Sequence, residues 1–121
     1  MRKKIMIVED DKFFHDLYVS LLKDTDYEIT SIFDVREAMR RLEEVKPDLI
    51  ILDMLLDQIT GDTFFRLIKN LPEYADIPVI IASGYPRRAN EILKGLDKNL
   101  TFLNKMEVNE KLIDEINRKI G

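Results

Sequence analysis

The sequence predicts an α/β fold, a doubly wound five-stranded parallel sheet with five helices, and three observations carry that expectation. Five short apolar runs recur along the chain, charged amphipathic segments separate them, and runs such as Leu49, Ile50, Ile51 and Leu52 are apolar throughout. A strand with no polar face needs cover on both sides, which a parallel sheet obtains from its right-handed crossover helices.

Each element follows in order. The first strand is expected at Ile5–Val8, followed by a helix in which Phe14, Leu17, Leu21 and Leu22 recur at helical spacing and Asp11 serves as the N-cap. Glu28–Ile32 reads as the second strand, and Val35, Ala38, Met39, Leu42 and Val45 as the apolar stripe of a second helix. Pro47 blocks continuation of that helix just before the third strand, Leu49–Leu52. Phe64, Leu67, Ile68 and Leu71 repeat the helical pattern after Gly61, and Pro78 precedes the fourth strand, Val79–Ala82. A fourth helix is expected over Ala89–Leu96, with Gly95 weakening its end. Leu100–Leu103 reads as the fifth strand, and Leu112, Ile113, Ile116 and Ile120 as the stripe of a final helix. No repeat, low-complexity tract or linker interrupts the alternation, so residues 1–121 are expected to form one domain.

Composition narrows the functions. The chain is 45% hydrophobic and 35% charged, as expected of a packed globular protein. A net charge of -4 argues against a nucleic-acid surface, which needs clustered Lys and Arg. With no cysteine there is neither a disulfide framework nor a thiolate metal site, which fits a reducing compartment. The apolar stretch behind the basic start, Ile5–Val8, is too short for a signal peptide and runs straight into acids, and cytoplasm is the expected location.

The candidate site lies where acids end strands. Glu9, Asp10 and Asp11 follow the first strand directly, and Asp53 follows the third. In the flavodoxin-like strand order 2-1-3-4-5 those two strands are neighbours, so the acids converge in the crevice beyond their carboxyl ends. Clustered like charges either take up protons or hold a divalent cation. Hard oxygen donors without Cys favour Mg²⁺, which commonly bridges carboxylates to a phosphate. Capping accounts for any one of these acids, but not for the combination. Ser83 ends the fourth strand beside Gly84, and Lys105 follows the fifth, where an ammonium can pair with a phosphoryl oxygen.

The stretches IMIVEDD, PDLIILDMLLDQITGD, IPVIIASG and TFLNK resemble, in order and spacing, the signatures of response regulator receiver domains of two-component systems. The resemblance spans nearly the whole chain. It implies that Asp53 is the phosphoacceptor, that Glu9, Asp10, Asp53 and the backbone carbonyl of Leu55 hold Mg²⁺, and that Ser83 and Lys105 contact phosphoryl oxygens. It also implies that Phe102 is the aromatic switch residue, although a core aromatic on a buried strand fits the sequence equally. Leu55 and Tyr85 would stand beside the phosphoryl group and gate the water that hydrolyses it.

By the same resemblance the donor is a phosphohistidine on a sensor histidine kinase or a histidine phosphotransfer protein. The chain would phosphorylate and dephosphorylate itself without acting as a turnover enzyme. With no output domain expected after Gly121, readout falls to a downstream protein or to self-association through the face of the fourth helix, fifth strand and fifth helix. Two rivals stay open: a pseudoreceiver that serves only as a protein-interaction module, and a Mg²⁺-dependent phosphatase with an aspartyl nucleophile. The phosphatase fits less well, since its second acid would fall at Leu55.

Two departures from the family pattern stand out. Met106 occupies the place of a proline whose cis peptide bond aims the lysine, and a non-proline cis bond costs about 3–4 kcal/mol, so a trans bond is expected and the reach of Lys105 becomes the open question. Asp57 replaces another common proline and adds a negative charge near the rim. The lone histidine, His15, is expected to be a structural residue, on the surface or partly buried.

Overall fold

The computed structural model describes residues 2–53, 61–84, 86–93 and 100–121. Strands and helices alternate: β1 (Lys4–Val8), α1 (Lys12–Leu22), β2 (Glu28–Ile32), α2 (Val35–Val45), β3 (Leu49–Asp53), α3 (Gly61–Lys69), β4 (Val79–Ser83), α4 (Pro86–Leu93), β5 (Thr101–Asn104) and α5 (Val108–Ile120), with a 3-10 turn (Lys105–Glu107) before α5. All pairings are parallel and the strand order is β2-β1-β3-β4-β5, as expected.

The pleat divides the core into two layers. Ile5 and Ile7 of β1, Leu49 and Ile51 of β3, and Ile80 and Ala82 of β4 pack on one face against α1 and α5. Met6 and Val8, Ile50 and Leu52, and Val79 and Ile81 pack on the other, against α2, α3 and α4. Alternate residues of one strand thus serve opposite layers, which is why these runs contain no polar residue.

Several boundaries differ from expectation. β3 includes Asp53 and β4 includes Ser83, so both polar residues keep strand geometry, while β5 starts one residue late at Thr101. α4 begins at Pro86, three residues before the expected Ala89, because a proline at the first helical position has its φ preset and loses no needed hydrogen bond. Residues 94–96 of the expected helix lie outside the described residues.

The helix stripes also shift. On α1 the buried residues are His15, Tyr18 and Leu22, with Phe14, Leu17 and Leu21 half-buried at the margin. On α3 Phe64 and Ile68 are buried as expected, but Phe65 is buried as well and Leu67 is 45% exposed. Both helices carry apolar residues over more than one stripe, and only the facing sheet selects the inner one. His15 is 2% exposed, which corrects the surface expectation. Its structural role stands: Nε2 lies against the carbonyl oxygens of Glu9 and Ile32, the latter at 3.1 Å. Carbonyls only accept, so Nε2 carries the proton.

Candidate functional site

Register and pleat explain the site before any side-chain contact is considered. Val8 of β1 pairs with Leu52 of β3, so the next residues, Glu9 and Asp53, meet side by side where the ladder ends. Asp53 in turn pairs with Ala82, and Ser83 with Asn104, which brings β4 and β5 to the same edge. The alternation that assigns Leu49 and Ile51 to the α1/α5 layer continues to Asp53, the last residue of β3.

The geometry agrees. Carboxylate oxygens of Glu9, Asp10 and Asp53 all lie within 4.8 Å of one another. Lys105 Nζ stands 2.7 Å from Glu9 Oε1 and 3.4 Å from Asp53 Oδ1, so the lysine reaches both acids. No peptide bond among the described residues is cis, and the trans bond expected after Lys105 therefore leaves its reach intact. What shapes the turn is Asn104, whose Oδ1 accepts from the Met106 N–H at 2.9 Å and caps the 3-10 turn that opens with Lys105. Asn104 is a functional neighbour that the sequence reading missed, and an Asn at the end of a strand before a turn is the signal that marks it.

Burial sets the electrostatics. Glu9 is 1% exposed, Asp53 4% and Ser83 3%, whereas Asp10 is half-buried. Loss of water pushes the Glu9 carboxyl up to about 7, with the like charge of Asp53 adding to it and Lys105 opposing it. Glu9 Oε2 accepts from the Asp11 N–H at 3.1 Å, and Asp11 itself caps α1 through the Phe13 N–H at 2.8 Å, as expected. Glu9 Oε1 meets Lys105 as an ion pair and, among the described residues, has no further partner, leaving a buried oxygen with coordinating capacity. Near the acids, the Tyr18 hydroxyl is buried with no hydrogen-bond partner among the described residues. Burial first, then the charges of Glu9 and Asp53, raise its pKa and keep it protonated.

Three carboxylates against one ammonium leave excess negative charge when all are ionised, and a divalent cation is the neutraliser that this donor set suits. All three side-chain donors are hard oxygens, with no nitrogen or sulfur among them, which fits Mg²⁺. The Leu55 carbonyl expected to complete the set, Tyr85 and Asp57 lie outside the described residues. Phe102 pairs in register with Ile81 and is half-buried against the α2/α3/α4 layer.

Fold and site together define an α/β protein with an acid cluster and an opposed lysine at the carboxyl edge of its sheet. The chain belongs to the response regulator receiver domain family, whose model matches residues 5–117. It is 31% identical over 91 residues, 75% of its own length and 74% of the relative's, to the polar-differentiation response regulator DivK of Brucella anthropi. Solved structures share the fold. Chemotaxis protein CheY4 of Vibrio cholerae matches 99% of this chain and 100% of its own at 23% identity, with a TM-score of 0.86. The receiver domain of sensor histidine kinase PA1611 of Pseudomonas aeruginosa, solved with a magnesium ion coordinated in its active site cleft, matches 100% and 99% at 22% identity, with a TM-score of 0.87. Among the described residues no helix is long and apolar enough to cross a membrane.

Proposed function

We propose that this chain, as one receiver domain over residues 1–121, accepts a phosphoryl group from a phosphohistidine onto Asp53 and thereby switches a partner-binding face. The observation that carries the reading is the buried Asp53 carboxylate at a strand end with Glu9 and Asp10 within 4.8 Å and Lys105 Nζ at 3.4 Å. Glu9, Asp10, Asp53 and the Leu55 carbonyl would hold Mg²⁺, which when bound neutralises charge as an anionic donor approaches an anionic nucleophile. An Asp53 carboxylate oxygen forms the new P–O bond as the P–N bond breaks, and the electron pair leaves with the donor imidazole.

The remaining residues position and respond. Lys105 pairs with a phosphoryl oxygen, for which its ammonium already stands among the acids. The Ser83 hydroxyl, on the neighbouring strand, hydrogen-bonds another oxygen and shifts toward it. Phe102, half-buried beside Ile81, turns inward as Ser83 moves and changes the surface of α4, β5 and α5. The donor is a sensor histidine kinase or a histidine phosphotransfer protein, the chain meets it in the cytoplasm, and the reader is a downstream protein or a second copy. The pseudoreceiver alternative rested on Met106 turning the lysine away, and the ion pairs of Lys105 speak against it.

Intact-mass measurement after incubation with Mg²⁺ and acetyl phosphate, or with a phosphorylated histidine kinase, tests the reading. A single phosphoryl adduct is expected on the parent and none on Asp53→Asn. An adduct that persists in Asp53→Asn overturns the acceptor assignment, and no adduct from either donor favours the pseudoreceiver. Repeated turnover of phosphoesters favours the phosphatase.

A further inference from the structure

We propose that Phe14 is a positioning residue for Lys105, its ring face carrying the ammonium and directing it onto the acid pair. Lys105 Nζ lies 4.3 Å from the centroid of the Phe14 ring while contacting Glu9 at 2.7 Å and Asp53 at 3.4 Å. The ammonium thus has carboxylates on one side and the negative face of a π system on another, and the lysine side chain is only 13% exposed.

The ring is itself held. Phe13 meets it edge-on, with centroids 5.3 Å apart and planes at 89°, and Tyr18, one helical turn further along α1, lies 6.3 Å away and is 1% exposed. Phe14 therefore presents a surface packed against the buried Tyr18 ring, with the exposed Phe13 ring at its edge, to a side chain with a flexible four-carbon stem. Without that surface, Lys105 regains rotamers that turn the ammonium toward water, and the entropy of holding it falls on Glu9 and Asp53 alone. Met106 and a trans backbone follow the lysine, so the aim of the ammonium depends on side chains: Asn104 shapes the turn and Phe14 fixes the tip. Only the kinetic consequence rests on the phosphoacceptor reading.

The test uses the full chain as Phe14→Leu, which keeps an apolar side chain but loses the π face, and Phe14→Tyr, which keeps both. Proton NMR of the parent is expected to show the ε-methylene resonances of Lys105 shifted upfield by the ring current, assigned by their loss in Lys105→Arg. The shift should vanish in Phe14→Leu and persist in Phe14→Tyr. With Mg²⁺ and acetyl phosphate, Phe14→Leu should form adduct about 5- to 30-fold more slowly, the range of a partly to fully desolvated cation–π contact, with Phe14→Tyr at the parent rate and Mg²⁺ affinity unchanged in both. Unshifted Lys105 resonances in the parent overturn the inference even if Phe14→Leu fails to fold. So does a Phe14→Leu protein that reacts at the parent rate, or a Phe14→Tyr protein that slows as much as Phe14→Leu. If the parent takes up no phosphoryl group the phosphoacceptor reading fails, and the NMR shift alone decides the role of Phe14.

Discussion

The two halves of the site are held by different means. Glu9 and Asp53 stand at the ends of two interior strands, β1 and β3, whose backbones pair on both sides and whose apolar residues are at most 1% exposed. Lys105 follows the edge strand β5, which has four residues and one neighbour, and it opens a 3-10 turn. Main-chain register brings the acids together, whereas the lysine is aimed by side chains: Asn104 caps its turn through the Met106 N–H, and Phe14 and Glu9 contact the ammonium. A ladder tolerates substitution of the residue it carries. A side-chain constellation changes with each of its members.

That difference orders the effects of mutation. Ile51→Ala removes a 1% exposed side chain of β3 two residues before Asp53 and should lower stability by about 2–5 kcal/mol in urea unfolding. Mg²⁺ affinity of the protein that remains folded should stay near the parent's, since the ladder still sets the acids, and a large loss of affinity would break the comparison.

The second effect is electrostatic and belongs to the acid half. The folded pKa of Glu9, about 7, lies above its ordinary value of 4.5, so the native state binds that proton more tightly than the unfolded chain. Its contribution to stability is fully present below about pH 4.5 and is lost as pH rises through about 7. In metal-free buffer the loss should be on the order of 2 kcal/mol, and Glu9→Gln should flatten it, as read from urea midpoints at pH 5 and pH 8. With Glu9 as a Mg²⁺ ligand, as proposed, a proton on its carboxylate would displace the metal, so Mg²⁺ affinity should fall from pH 8 to pH 6 in the parent.

The smallest effect on stability belongs to the lysine half. Asn104→Ala deletes the side-chain cap on Met106 N–H and should cost about 1 kcal/mol or less. Because the turn it shapes carries Lys105, the same variant should slow adduct formation from acetyl phosphate while leaving Mg²⁺ affinity unchanged. Equal losses in both would place Asn104 with the acids and erase the contrast.

Much of the acid half was legible in the sequence. The run Leu49, Ile50, Ile51, Leu52 demanded a central strand, and an acid directly after it had to emerge at the sheet edge beside the acids after β1. The lysine half was harder to read. Lys105 was visible as a cation at a strand end, but its neighbour Met106 pointed to doubt about its reach, and neither Asn104 nor Phe14 stood out among polar and apolar residues of common kinds. His15 on α1 was placed too near the surface because its partners, the carbonyls of Glu9 and Ile32, come from two different strand ends.

The sequence by itself determined the alternation of elements, the parallel sheet and the convergence of Glu9, Asp10 and Asp53, because hydrophobic period and strand ends are local properties that a chain carries in its order of residues. The tertiary structure decided which stripe of α1 faces the sheet, that Lys105 reaches Glu9 and Asp53 across a trans backbone, and that an aromatic ring lies beneath its ammonium. Those outcomes depend on contacts between elements far apart in the chain, α1 with the sheet and α5, and the end of β5 with the ends of β1 and β3, and no local pattern encodes the distances between them.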